Sequence, residues 1–129
     1  MAKQTRTKKP IPFRFVLEEL EARQPLVKHM FGCHAVYFGE KLVLFLCDLD
    51  KWAGQKGLWL PTTPEHYASL AQGFSASRPV MQDRLGKSPW LLLPVSAPDF
   101  ESQALRACEL ILRGDLRIGR IPEPRKLRP

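Results

Sequence analysis

From Ala35 to Cys47 the chain reads Ala-Val-Tyr-Phe, then Gly-Glu-Lys, then Leu-Val-Leu-Phe-Leu-Cys. Two runs rich in β-branched and aromatic residues, split by a glycine-led break, are the pattern of a β-hairpin. Gly39 suits the first corner of a type II′ turn, which needs a positive φ. Leu42 to Leu46 is apolar at every position, so this strand is central in a sheet or covered on both faces. Such a hairpin needs further strands beside it and helices over it.

The rest of the chain supplies them. Phe13, Val16, Leu17 and Leu20 fall on one face of a helix over 13–23, with Pro12 in its first turn and Pro25 as its stop. Leu26–Met30 is a short first strand, and Met30-Phe31-Gly32 is a bend leading into the hairpin. Residues 48–56 form a polar loop carrying Trp52. Gly57–Leu60 is a fourth strand, ended by Pro61. Thr63 as N-cap, Pro64 at the first helical position and Gly73 as the stop define a second helix. Val80–Arg84 reads as an edge strand, Gly86-Lys87-Ser88 as a turn and Trp90–Val95 as another hydrophobic strand. Ser96 then caps a last helix with Pro98 in its first turn. Its apolar stripe is Phe100, Ala104, Leu105, Ala107, Cys108, Ile111 and Leu112, and Arg113-Gly114 closes it. Trp59 and Trp90 belong to the core.

Tight turns make the strands antiparallel. The expected fold is α+β, a two-layer sandwich with an antiparallel sheet of five to six strands and helices packed on one face. The order is helix, three or four strands, helix, two strands, helix. Residues 1–12 are expected as a disordered basic tail, 13–114 as a single domain, and 115–129 as a basic, proline-rich extended tail.

Met30-Phe31-Gly32 with the aromatic strand Val36-Tyr37-Phe38 and its glycine turn resembles the N-terminal domain of TfoX-like proteins. The later half, with the Pro64-Glu65 helix start and the Trp90-led strand, is similar to YjbR (MmcQ)-like proteins. The resemblance covers residues 13–114 and implies the same order of elements. It implies a regulatory or DNA-linked role and brings no catalytic residues. The chain lacks the helical C-terminal half of full TfoX proteins, which removes the basis for a competence role.

The net charge is +7. Residues 1–10 contribute +4 through Lys3, Arg6, Lys8 and Lys9. Residues 120–129 contribute +3 through Arg120, Arg125, Lys126 and Arg128 against Glu123. Residues 11–119 hold 12 basic and 12 acidic side chains. A neutral body does not offer the broad basic face of a dedicated nucleic-acid binder, so any polyanion contact belongs to the ends.

Three cysteines without C-x-x-C spacing make a disulfide framework unexpected, and the N-terminus has no apolar signal core. These features suggest a cytoplasmic protein without a membrane span. His29, Cys33, His34 and Cys47 hold metal-ligand chemistry, yet Cys33 and His34 are adjacent in a strand and point to opposite faces. The cluster is therefore read as structural, with no metal and no cofactor. No phosphate loop, dinucleotide loop or zinc-protease motif is present, and no catalytic residue is assigned.

The expected function is a non-enzymatic binding or regulatory module that acts through a protein partner or as a homodimer. Its surface would be the sheet face left open by the helices, with Trp52 and His66 as ligand or partner contacts. The alternative is weak, non-specific nucleic-acid binding through the two basic tails.

Overall fold

The computed structural model describes residues 11–30, 32–48, 54–80 and 90–121. The described residues form three α-helices: α1 (Arg14–Leu20), α2 (Pro64–Ala71) and α3 (Phe100–Leu112). Six strands are β1 (Leu26–Met30), β2 (Cys33–Phe38), β3 (Lys41–Cys47), β4 (Gly57–Leu60), β5 (Arg78–Pro79) and β6 (Leu91–Pro94). They form one antiparallel sheet in the order β1-β2-β3-β4-β6-β5. This is the α+β fold expected from the sequence.

The opening hairpin turns at Gly39, whose φ is +63°, and Phe38 faces Lys41 across it. The pairing slips between Val36 and Tyr37: Val36 faces Leu44 while Tyr37 faces Leu42. Val43 is therefore the extra residue of a β-bulge. The bulge lets Val43 and Leu44 both join the helix-side core, which an unbroken two-residue alternation forbids.

That core joins Val16 and Leu20 of α1, Leu70 of α2, and Ala104, Ala107, Cys108 and Ile111 of α3 to Val36, Leu44, Leu46, Leu58, Leu60, Leu91 and Leu93 of the sheet. Among the described residues, no residue of a helix belongs to the cluster on the opposite face. That cluster holds Ala35, Tyr37, Phe45, Trp59, Val80 and Leu92. Phe45 lies 5.8 Å from Trp59 and 5.4 Å from Trp90, ring centre to ring centre. This corrects the expectation of an open face, because Phe45 is only 2% and Trp59 only 8% exposed. Trp59 also donates from Nε1 to the Gln55 carbonyl at 2.8 Å.

Several boundaries move. Pro12 stays outside α1, and Phe13 precedes the helix at φ +54° with its ring 5.3 Å from that of Phe100. The edge strand lies at Arg78–Pro79 rather than Val80–Arg84, of which residues 81–84 fall outside the described residues, as does the Gly86-Lys87-Ser88 turn. A proline fits there because an edge strand has one side free of ladder bonds. α3 begins at Phe100 with Asp99 before it, not at Ser96, and Leu105 lies on its outer side, 38% exposed. α3 ends as expected at Arg113-Gly114. Gly114, at φ +76°, donates to the Ile111 carbonyl and Asp115 donates to that of Leu110, which closes the helix in a Schellman motif.

The chain does not leave the body there, as an extended tail from residue 115 would. β4 stops at Leu60, so the first half of β3 has no strand on its β4 side. Residues 118–120 fill that gap. Leu42 donates to the Arg120 carbonyl at 2.9 Å and accepts from the Arg120 amide at 3.0 Å. Gly119 donates to the Pro61 carbonyl at 2.8 Å, and Ile118 is buried in the helix-side core.

Arg117 fastens the turn before this segment. It donates from Nε and Nη2 to the two Asp115 oxygens at 2.9 and 2.7 Å, and from Nη1 to Ser69 Oγ of α2 at 2.9 Å. The Arg117 side-chain bond holds the Asp115 carboxyl down to about 2 from an ordinary 3.8. A folded-state pKa below the unfolded one contributes stability that is complete above about pH 4 and lost as pH falls through about 2. Asp115→Asn is expected to lower the urea midpoint at pH 7, with the gap to the parent closing near pH 2.

The cysteine expectation is also corrected. Cys33 and Cys47 form a disulfide between β2 and β3, with Cα atoms 4.8 Å apart and a sequence separation of 14. His34 faces Leu46 in the ladder, so the two cysteines are the next directly opposed pair. Sequence spacing alone could not show this, because the pairing depends on strand register. A loop of that size implies stabilisation of about 3 kcal/mol in the chain-entropy account. Thermal melts with and without reductant are expected to differ accordingly.

Candidate functional site

β1 is a terminal strand of the sheet, and it is the least buried of the longer ones: Leu26, Lys28 and His29 are exposed while Val27 and Met30 are half-buried. Its inner edge is fully paired, Leu26 with Tyr37 through Met30 with Cys33. No described element pairs with its outer edge. Such an edge is a template for another extended chain.

Side chains on both faces of the β1–β2 pair are arranged around this edge. On the helix side, Arg23 places its guanidinium 4.7 Å from the Phe38 ring centre, and the His29 and His34 rings lie 5.1 Å apart. On the other side the Lys28 ammonium sits 5.0 Å from the Tyr37 ring centre, beside Leu26, which is 52% exposed. From Ala22 to Gly39 the chain has Arg23, Lys28, His29 and His34 and no acidic residue. The neutral body therefore carries a local basic and aromatic margin, which the even charge count over residues 11–119 conceals.

The site residues expected from sequence scatter. Met30 ends β1 and packs against the helix-free face, and Gly32 takes φ +80° in the bend, as a glycine can. Phe31 and Trp52 lie outside the described residues, as do Lys3, Arg6, Lys8, Lys9, Arg125, Lys126 and Arg128. Arg120 is exposed but its backbone belongs to the sheet closure at Leu42. His66 is half-buried in the first turn of α2, its Nδ1 3.3 Å from Thr63 Oγ1, so it is less available to a partner than expected.

Cys33 and His34 do face opposite sides of β2: Cys33 belongs to the helix-free cluster, while His34 shares its row with Leu46 of the helix-side core. Cys108 is buried, and burial together with the nearby Glu19 carboxylate pushes its thiol up to about 12. That keeps it protonated, as a packing residue and not a nucleophile. Among the described residues no three His, Cys, Asp or Glu side chains gather as a metal centre, and no helix is long and apolar enough to cross a membrane. The β1 margin was missed because it appears only once β1 pairs with β2; the acid-free interval 22–39 was its one visible signal.

No protein-family model, no curated protein and no solved structure matches this chain.

Proposed function

We propose that the protein is a non-enzymatic binding module that takes an extended, acidic segment of a partner protein along the outer edge of β1. The observation that carries this reading is an exposed terminal strand set in an acid-free stretch bearing Arg23 and Lys28. Backbone pairing supplies affinity in such strand addition, and side-chain complementarity supplies selectivity. A second copy is a poorer occupant, since two-fold pairing centred on β1 sets Lys28 against Lys28. The sequence resemblance to TfoX-like and YjbR-like domains, whose associations are regulatory, is in keeping with a binding role.

The test is selection of random 12-residue peptides on the full chain, followed by amide hydrogen exchange. Acidic peptides that slow exchange across 26–30, and that bind Lys28→Glu at least tenfold more weakly, support the reading. Peptides that leave 26–30 unchanged, or a salt-stable homodimer through β1, sink it.

A second reading is weak nucleic-acid binding by the chain ends, favoured by the placement of the whole +7 outside residues 11–119. Deleting 1–10 and 122–129 then abolishes binding to a random-sequence duplex and spares Arg120, whose backbone closes the sheet. In a reducing compartment the Cys33–Cys47 bond would open, and the fold would rely on the ladder alone at that end of the hairpin.

A further inference from the structure

His29 and His34 are the two residues of the Cys-His cluster that strand pairing brings together. They face each other directly across β1 and β2, on the same side of the sheet. Their ring centres are 5.1 Å apart and their planes are inclined by 55°. His29 is exposed and His34 half-buried with its Nδ1 shut off from solvent, so the pair meets solvent chiefly through His29, and His34 would bind an ion through Nε2. Adjacency of Cys33 and His34 argued against a shared site only while those two were considered together; His29 supplies the second imidazole without any cysteine.

We propose that His29 and His34 form a two-imidazole chelate for a borderline divalent transition-metal ion of the zinc, nickel or copper class. Neutral imidazole is the ligand such ions favour over calcium or magnesium. With metal–nitrogen bonds of about 2.0–2.1 Å in a tetrahedral arrangement, two coordinating imidazoles have ring centres roughly 5 Å apart. The observed separation matches that spacing. Both ligands stand on paired strands, a more rigid mount than a loop. The remaining positions on the ion go to water, or to a carboxylate or imidazole brought by another molecule. A His-His ring contact that takes no metal is the competing account of the same geometry.

The full chain, kept oxidised so that Cys33 and Cys47 stay joined, is titrated with Zn(II) at pH 7.5. Binding is followed by calorimetry and by the imidazole proton resonances. The expected result is one equivalent bound, with the His29 and His34 resonances shifting together and His66 unmoved. His29→Phe keeps a ring against His34 and removes one ligand; it is expected to fold as the parent does and to bind at least tenfold more weakly. His34→Gln is expected to bind equally poorly, and His66→Gln as well as the parent. Failure to saturate at millimolar zinc, or undiminished binding by His29→Phe, overturns the proposal. Neither result bears on strand addition at β1, which is read with metal chelator present.

Discussion

Gly57→Ala is expected to cost roughly 3–5 kcal/mol, enough to leave a domain of ordinary stability largely unfolded at 37 °C. Gly57 holds φ at +142°, which side-chain-bearing residues rarely adopt. It pairs with Cys47 on one side and Pro94 on the other. A Cβ there would overlap the Leu93 carbonyl oxygen and press on the Val95 amide. Those atoms are backbone, fixed in part by the Val95 amide bond to the Lys56 carbonyl at 2.9 Å, so they cannot swing aside. Gly39→Ala is the comparison. Its φ is +63° but nothing lies within 4 Å of the added atom, so only backbone strain remains and about 1 kcal/mol is expected. Thermal melts of the two variants separate crowding from strain. Equal shifts would show that the close approach at Gly57 relaxes.

Ending the chain after Gly114 is expected to have an effect of similar size. The deletion empties the site of Ile118, which is 1% exposed, and a buried aliphatic side chain of that size is worth about 2–5 kcal/mol. It also strips Leu42 of both backbone partners and removes the Arg117 link to α2. Ile118→Ala alone is expected to cost less than the truncation, and ending the chain after Ile121 least of all. Urea midpoints of the three chains give the order. A truncation at 114 as stable as the parent would show that 115–121 merely rests on the body.

These two sites mark where sequence reasoning reached and where it stopped. Element types were legible because periodicity and stop signals are local. The helix stripe of Ala104, Ala107, Cys108 and Ile111, the Gly39 turn and the Pro64 start can all be read within a few residues. What lay hidden depends on pairing between distant residues. The Cys33–Cys47 bond, the His29–His34 contact and the bulge at Val43 follow from register, which no single strand states. Residues 115–121 read as tail because Gly114 ends a helix and charge and proline follow; only Ile118 among them is buried. The β1 margin hid in the same way, its basic side chains cancelled in the count by acids elsewhere.

The bridge between Leu42 and Arg120 also sets an order of events for a chain made from its N-terminus. The hairpin of β2 and β3 can form early, since its contacts are local and hairpins close in about 1–10 μs. The partner of Leu42, Arg120, is synthesised 78 residues later. Until then the first half of β3 presents an unpaired apolar edge, the surface through which nascent chains associate wrongly. The sheet is thus begun well before it can be completed, and its time at risk is set by translation of everything between Leu42 and Arg120.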